Sequence, residues 1–373
     1  MSVRAVIRLS LCALLFSACS LRNDSSGKAI GLVSEIIAGE EAHMNAVLHS
    51  YRADNPMGDI VVVDDPLRAA MLSAVLLESD EHDNIDGGRI PDRLPDFAGE
   101  RIVSQFDIDR SYAQAADSVL RETAVRALVA SLDTLCFGNA YDSVGVYSKN
   151  AAKVLVMASP AMAAAARFDV DTLLAATGVG LPVVYPAYDM LAAADAAGYT
   201  NVAIVSDMPH SDSYMRICSE IGARYQVYFA CVDSLGGGDV LERLLESYYA
   251  DGRRAAIDCV VIDSYETGDD SLRDEYAGIL LDNSMSSLHP LISEGCTFIS
   301  AGKSVADSVY ALLRGRNLFT HDVSYPRADV YITRPADGGV YSLMQMDWSL
   351  LPAGLENDIM TEASQTYVSY VQD

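Results

Sequence analysis

Short apolar runs alternate with longer amphipathic stretches along most of the chain. The apolar runs predict strands at residues 29–33, 60–63, 102–106, 154–157, 182–185, 201–205, 226–232, 257–262 and 297–300, and the run at 60–63 is unbroken by polar residues. The stretches between them predict helices at 39–52, 66–77, 112–135, 161–176, 187–197, 212–223, 239–250, 271–281, 286–294 and 303–313. Strands that are apolar throughout and separated by helices are typical of parallel sheets covered on both faces. The predicted fold class is therefore α/β, with doubly wound parallel sheets.

The alternation runs to about residue 185 and then starts again. At 373 residues the chain is long for one core and suits two domains. We expect an N-terminal lobe at 29–186 and a C-terminal lobe at 187–345, joined by a hinge, with a tail at 346–373. Late strands at 330–333 and 340–343, around the turn at 337–339, are candidates to cross back to the first lobe. Residues 80–99 are rich in Asp, Gly and Pro and predict a long loop.

The first residues follow the order of a signal peptide. Arg4 and Arg8 precede an apolar run at 9–16, which is about half the length that a membrane-spanning helix requires. Residues 16–19 then resemble the bacterial lipobox, which implies removal of 1–18, lipidation of Cys19 and a polar tether at 19–28. The expected location is the cell envelope, on the outer membrane of a Gram-negative bacterium. The alternative is an ordinary secretory signal with a chance cysteine.

The chain is strongly acidic. It has 26 Lys and Arg residues against 52 Asp and Glu residues, a net charge of −26. Loss of Arg4 and Arg8 with the signal leaves 24 basic residues against the same 52 acids, so the net charge becomes −28. Such a charge repels nucleic acid and anionic membrane surfaces, so neither is an expected partner.

The cysteines beyond Cys19 do not form a metal-binding or disulfide pattern. They are odd in number and include no CxxC pair. Cys231 and Cys259 fall inside predicted strands, which favours buried free thiols, although a single disulfide stays open. The five are Cys136, Cys218, Cys231, Cys259 and Cys296.

Ligands of open parallel sheets collect beyond the carboxyl ends of the strands. The polar residues at these positions are Glu35, Asp64, Asp65, Asp107, Ser159, Tyr185, Tyr188, Ser206, Asp207, His210, Asp233, Asp263, Tyr265, Ser300 and Lys303. So many carboxylates favour a cationic or polyhydroxylated ligand. An aspartate after a strand also often caps the next helix, and that alternative stays open for each one. Tyr265 could stack on a ring of the ligand or pack against the hinge.

Motifs of catalysis are absent from the sequence. The glycines at 236–238 lack the lysine of a phosphate-binding loop, no GxSxG elbow occurs, and the histidines show no HExxH spacing. We therefore expect no enzyme activity, no cofactor and no metal.

The second half is similar to type I periplasmic binding proteins. Residues 181–225, which include the PVVYPAYDM and GYTNVAIVSD segments, resemble the region that joins the two lobes of that family. Residues 240–264 and 298–313 resemble its later units. The resemblance implies a solute-binding lipoprotein whose lobes close on a small polar molecule and are recognised by a transporter or sensor. The expected ligand contacts are Glu35, Asp107, Ser159, Tyr185, Asp207, Asp263, Tyr265 and Lys303. The loop at 34–41 departs from the family pattern and only Arg216 could contact a sugar, so a sugar is not implied.

Two other classes remain as alternatives. Residues 181–206 also resemble a segment of aspartate/glutamate racemases, cleft enzymes with two α/β domains. That resemblance implies a cysteine from each lobe acting as opposed acid and base. Cys231 and Cys259 precede their strand ends and lie in the same lobe, so this geometry is not expected. The third class is a surface interaction protein that kept the binding fold without a ligand.

Overall fold

A computed structural model describes residues 27–107, 112, 115–137, 144–235, 239–264, 268–320 and 322–333, and the backbone of the strand at 365–368. Residues 1–26, with Cys19, lie outside the described residues. The signal peptide, the lipidation and the envelope location therefore stay predictions. Among the described helices, none has the length and apolar character to span a bilayer.

The helices and strands alternate along the chain. The strands are β1 (Asp59–Val63), β2 (Arg101–Phe106), β3 (Leu135–Cys136), β4 (Val146–Tyr147), β5 (Ala152–Met157), β6 (Val183–Val184), β7 (Asn201–Ser206), β8 (Gln226–Cys231), β9 (Ile257–Asp263), β10 (Ile292–Ser300), β11 (Arg327–Thr333) and β12 (Gln365–Val368). The helices are α1 (Gly31–Ala38), α2 (Ala42–Ser50), α3 (Pro66–Glu78), α4 (Asp117–Leu132), α5 (Pro160–Thr177), α6 (Pro186–Ala197), α7 (Ser211–Ile221), α8 (Val232–Leu235), α9 (Val240–Ala250), α10 (Asp269–Leu281) and α11 (Ala301–Arg316).

The strands form two parallel sheets. The first has the order β12-β11-β2-β1-β5-β6, and the second has the order β10-β9-β7-β8. All described pairings within these two sheets are parallel, whereas β3 and β4 form a separate antiparallel pair. The prediction of an α/β fold with parallel sheets is confirmed.

Strand β1 shows why the run at 60–63 contains no polar residue. All of its residues are buried, and successive side chains of a strand point to opposite faces. Ile60 and Val62 pack in the core that contains Leu72 of α3 and Val309 of α11. Val61 and Val63 pack in the core that contains helices α4 and α5. Both faces of the first sheet are therefore covered, and no position in the strand can be polar without cost.

The second sheet is also covered on both faces. Ala203 and Val205 of β7 pack with Leu241 and Leu244 of α9. The alternate residues of β7 pack in the core that includes Tyr214 of α7. Helix α6, which precedes β7, ends at Gly198 as predicted, because this residue takes a left-handed conformation (φ 80°) and its N–H binds the carbonyl of Ala194.

Two predicted elements are wrong. The predicted strand at 29–33 is the start of helix α1, in which Leu32, Val33 and Ile36 are buried at helical spacing. The predicted helix at 286–294 is two short 3₁₀ turns, Asn283–Met285 and His289–Leu291, followed by β10, which begins at Ile292. An apolar run as short as that at 29–33 does not distinguish a strand from a buried helix segment.

The end of the chain returns to the first sheet. Strand β11 pairs with β2, and β12 pairs with β11, so both belong to the N-terminal sheet. The predicted strand at 340–343 and the turn at 337–339 lie outside the described residues. The strands β7–β10, which all follow residue 186, form one sheet. The division of the chain into two lobes at that residue stays a prediction.

Candidate functional site

A buried cluster of charges joins the carboxyl ends of strands from both sheets. Asp64 follows β1 of the first sheet, while Asp207 follows β7 and Asp263 ends β9 of the second. The guanidinium of Arg68, from the first turn of α3, contacts all three carboxylates. We call these four residues the Arg68 cluster.

The contacts of Arg68 are distributed over its nitrogen atoms. Nε donates to Asp64 Oδ2 at 3.2 Å, and Nη2 donates to Asp263 Oδ1 at 2.9 Å. Nη1 lies 3.5 Å from Asp207 Oδ2 and 3.4 Å from the carbonyl of Asp263. Arg68 is 5% exposed, so these pairs are screened little by solvent. The cluster is the point at which α3 is bound to the second sheet.

Local sequence explains how Arg68 reaches this position. Pro66 opens α3 directly after Asp64 and Asp65, since proline is well accommodated in the first turn of a helix. Asp64 and Arg68 are four residues apart, which places their side chains on the same side of the chain. The neighbours of Arg68 on α3 are apolar and enter the core of the first lobe.

The strand ends of the second sheet are bound to one another. Ser206 Oγ donates to Asp263 Oδ2 at 3.3 Å and accepts from the backbone N–H of Met208 at 3.2 Å. The N–H of Asp207 contacts the carbonyl of Asp263 at 3.4 Å. These bonds hold Asp207 and Asp263 toward the first lobe.

Burial changes the protonation of Asp64. Removal from water raises its pKa to about 7, and the negative charges of Asp65 and Asp263 add to that rise. Arg68 opposes it, because a neighbouring cation favours the carboxylate. Asp65 also has a raised pKa through burial, although it accepts a hydrogen bond from the N–H of Tyr112 at 3.0 Å.

His210 lies beside the same charges in the second lobe. It directly precedes α7 and is 4% exposed. Burial lowers its pKa to about 4, the carboxylate of Asp263 acts in the opposite direction, and the positive charge of Arg68 lowers the pKa further. The imidazole is therefore neutral across the physiological range and is able to accept a proton.

Asp64 and His210 are both exposed to the charges of Arg68 and Asp263, and burial raises the pKa of Asp64 while it lowers the pKa of His210. Between about pH 4 and pH 7, Asp64 is a carboxylic acid and His210 is a neutral base. Environments that move two pKa values in this way are the usual basis of acid and base roles in one site. The arrangement can therefore donate one proton and accept another.

The structure brings two of the predicted ligand contacts into this cluster. Asp207 and Asp263 belong to the cluster. Asp107 is buried directly after β2. Tyr265 lies outside the described residues.

The remaining four predicted contacts have structural partners of other kinds. Ser159 Oγ accepts from the N–H of Met162 and so caps α5. Tyr185 is buried, with the guanidinium of Arg167 at 5.4 Å from its ring. Lys303 is paired with Glu81 on the surface. Glu35 is exposed on α1 rather than at a strand end, because the predicted first strand is a helix.

Arg68 was not among the site residues predicted from the sequence. Its signal is present in the sequence, since it is the one basic residue in the apolar run of α3 and stands four residues after an aspartate. A charge in an otherwise apolar helix is usually buried only with a partner. The partners from the second lobe could not be identified without the fold.

The described cysteines do not provide an opposed pair of thiols. Burial raises the pKa of Cys259 and of Cys296 to about 12, and burial also raises that of Cys218. Cys231 ends β8, and its Sγ lies 3.7 Å from the carbonyl of Asp207 in the same lobe. Cys136 is buried in β3 with its Sγ at 3.1 Å from Ser148 Oγ. All five are free thiols. Within the described ranges, no group of three His, Cys, Asp or Glu side chains could hold a metal ion.

Comparison with known proteins shows the fold. No family model matches the chain, and no curated protein matches it. Among solved structures, a glutamate racemase from Francisella tularensis in complex with D-glutamate matches with a TM-score of 0.50 and 15% identity, covering 84% of this chain and 98% of that one. Glutamate racemases from Thermus thermophilus (TM-score 0.49, 13% identity, 76% and 90% covered) and Bacillus anthracis (0.47, 13%, 75% and 90%) are also similar. The match to the Francisella tularensis structure shows that the chain has the α/β fold of glutamate racemase.

This finding corrects the leading expectation. The resemblance to type I periplasmic binding proteins is wrong, since the Francisella tularensis structure that shares the fold is a glutamate racemase, and the solute-binding lipoprotein class is wrong with it. The expectation of a protein without enzyme activity is contradicted by the same structure, which is that of an enzyme, and an activity of this chain is proposed below. The neighbours match the racemase-type alternative better than the binding-protein interpretation.

Proposed function

We propose that this chain is a cleft enzyme of the aspartate/glutamate racemase type that transfers protons at the α-carbon of a small amino acid, with a carboxylic acid and an imidazole in place of thiols. The observation that carries the proposal is the Arg68 cluster with His210. Asp64 follows a strand of the first sheet, His210 follows a strand of the second, and both lie beside the charges of Arg68 and Asp263, which supports roles as acid and base.

The proton movements balance over one turnover. His210 takes the α-proton, and the electron pair of the broken C–H bond stays on the substrate. Asp64 then gives its proton to the same carbon, so one C–H bond breaks and another forms. The site is left with an imidazolium and a carboxylate, and proton exchange with water restores the starting state.

The charges of the cluster favour a substrate with an amino group. Three aspartates surround one arginine, so the cluster carries an excess of negative charge when its acids ionise. A substrate ammonium would reduce that excess, as an opposite charge does for any buried carboxylate. Amino acids meet this requirement, and the fold neighbours include a glutamate racemase in complex with D-glutamate.

Exchange of the α-proton with solvent tests the proposal directly. The full chain is incubated in D₂O near pH 5.5 with single amino acids, including both enantiomers of aspartate and glutamate, and loss of the α-proton signal is followed by NMR. We expect exchange with at least one amino acid and inversion of its configuration over the same period. Exchange with none of a complete panel would contradict the proposal.

A matched variant separates the site from general stability. Asp263→Asn changes the acid at the carboxyl end of β9, whereas Asp258→Asn changes an acid near the amino end of the same strand, where it accepts from the N–H groups of Thr200 and Asn201. We expect loss of exchange in the first variant and its retention in the second. Equal rates in the two variants would remove the site from the reaction.

A further inference from the structure

Arg68 forms ion pairs with residues at the carboxyl ends of both sheets at the candidate site. It belongs to α3 of the first lobe, yet two of its three carboxylate partners, Asp207 and Asp263, belong to the second lobe. The third partner, Asp64, is the proposed acid. A single side chain therefore contacts both the acid and the opposite lobe.

Each of these contacts is buried. The side chain of Arg68 is 6% exposed, those of Asp64 and Asp263 are 1% and 2% exposed, and that of Asp207 is 14% exposed. The fork of the guanidinium lets one group bind several acceptors at fixed angles, which a lysine ammonium does not reproduce. Separation of the lobes would require all of the cross-lobe contacts of Arg68 to break.

We propose that Arg68 is a positioning residue that latches the carboxyl ends of the two sheets together at the candidate site and orients Asp64, the proposed acid, within it. The inference rests on the proposed function for its second half only. The latch itself concerns the contact of the lobes and does not depend on any reaction.

Two of the charges that act on the proposed acid also act on the proposed base, those of Arg68 and Asp263. Asp64 faces Arg68, Asp65 and Asp263, and His210 faces Asp263 and Arg68. The positive charge of Arg68 favours the ionised form of Asp64 and disfavours the ionised form of His210, so it lowers the pKa of both. Its loss should therefore move both groups in the same direction, upward.

The experiment compares Arg68→Ala and Arg68→Lys with Arg121→Ala. Arg121 binds the fully buried Asp169 and so joins α4 to α5. It is a suitable control because, like Arg68, it pairs with a buried aspartate, but both of its helices pack on the first sheet. Amide hydrogen exchange is measured at residues 64–68, at Asp207 and in the interior of β7. Methylguanidinium is added to each variant as the probe that can refill the space left by the guanidinium.

We expect Arg68→Ala to raise amide exchange at 64–68 and at Asp207 by at least tenfold, with little change inside β7. Methylguanidinium should reverse the rise, and Arg68→Lys should be intermediate. Arg121→Ala should leave both regions unchanged. A rise spread evenly over the chain, or the absence of any rise at the lobe contact, would overturn the latch. If Arg68→Ala does not fold, Arg68→Lys with and without methylguanidinium gives the same comparison.

The protonation states supply a second readout that a merely structural role would not move. Carbon-13 NMR of the Asp64 carboxyl and proton NMR of His210 follow their titration without any substrate. In Arg68→Ala both midpoints should rise by about one pH unit or more, whereas Arg121→Ala should not move them. Unmoved midpoints would overturn the positioning role. If the wild-type chain shows no α-proton exchange while the latch and the shifts are seen, the proposed function fails and the inference about Arg68 stands.

Discussion

The guanidinium of Arg68 lies 2.9 Å from the carboxylate of Asp263. Helix α3, which packs on the first sheet, is therefore bound to the carboxyl end of β9 in the second sheet. The two residues are 195 positions apart in the chain. Asp64, the proposed acid, and His210, the proposed base, lie in the field of the same two charges.

The rate of α-proton exchange should show a bell-shaped dependence on pH. The proposed base must be neutral, which requires a pH above about 4, and the proposed acid must be protonated, which requires a pH below about 7. We expect the maximum between these values, measured as kcat/KM from pH 3.5 to pH 9. A rate that rises steadily through pH 8 to pH 9 would contradict the assignment of Asp64 as the acid.

Asp64→Asn should reduce exchange and change how stability varies with pH. Loss of a general acid costs about 10²-fold or more in rate. The folded-state pKa of Asp64 is raised from 3.8 to about 7, so the stability that it contributes is complete below pH 3.8 and declines as pH rises through 7. Between pH 3.8 and about pH 7, the free energy of unfolding of the wild type should fall relative to that of Asp64→Asn by about 1 kcal/mol per pH unit. Denaturant unfolding at several pH values measures the difference, and parallel curves for the two proteins would show that Asp64 does not titrate as proposed.

Lys149→Met should remove an alkaline rise in stability. Lys149 is buried, donates to the carbonyls of Ser131 and Asn150, and lies over the ring of Tyr331 at 4.7 Å. Burial lowers its pKa from 10.5 to about 8, so the unfolded chain binds the proton more tightly than the folded chain between these values. Wild-type stability should therefore rise between pH 8 and pH 10 relative to Lys149→Met.

The exposed Lys303→Met is the control for that comparison, since Lys303 forms only a surface pair with Glu81. It should parallel the wild type at all pH values. Identical pH dependence of Lys149→Met and the wild type would show that Lys149 stays charged in the folded protein.

Ser159→Ala should affect stability rather than exchange. The hydroxyl of Ser159 accepts from the N–H of Met162 and caps α5. Loss of such a cap costs about 1 kcal/mol of unfolding free energy. Thermal unfolding should show that decrease, while kcat/KM for α-proton exchange should change less than about twofold, corresponding to a few tenths of a kcal/mol. A large fall in kcat/KM with unchanged stability would return Ser159 to the ligand contacts predicted from the sequence.

The fold class could be predicted because burial on both faces of a parallel strand leaves a direct record in the sequence. The strands β1, β5 and β9 are mostly apolar, and helices lie between them in the chain. The run at 29–33 could not be resolved in the same way, since a short apolar segment satisfies a strand and a buried helix turn equally. The choice between racemase-like and binding-protein-like folds depends on how the sheets are connected, and local patterns record that only weakly.

The candidate site could be predicted in part. The position of an aspartate after a strand identified Asp207 and Asp263, and it also placed Asp64 and His210 among the possible residues. The same rule selected Ser159, whose hydroxyl caps a helix. Arg68 could not be assigned, because its role depends on two partners that are more than a hundred residues away in the chain. The pKa shifts of Asp64 and His210 come mainly from burial, which becomes known only once the lobes are assembled.

The most direct measurement is α-proton exchange in D₂O near pH 5.5 by the wild type, Asp64→Asn and His210→Asn, with Asp258→Asn as the control. We expect exchange and inversion of at least one amino acid by the wild type and the control, and a loss of about 10²-fold or more in each of the other two variants. Undiminished exchange in both Asp64→Asn and His210→Asn, or no exchange by the wild type with any amino acid, would contradict it.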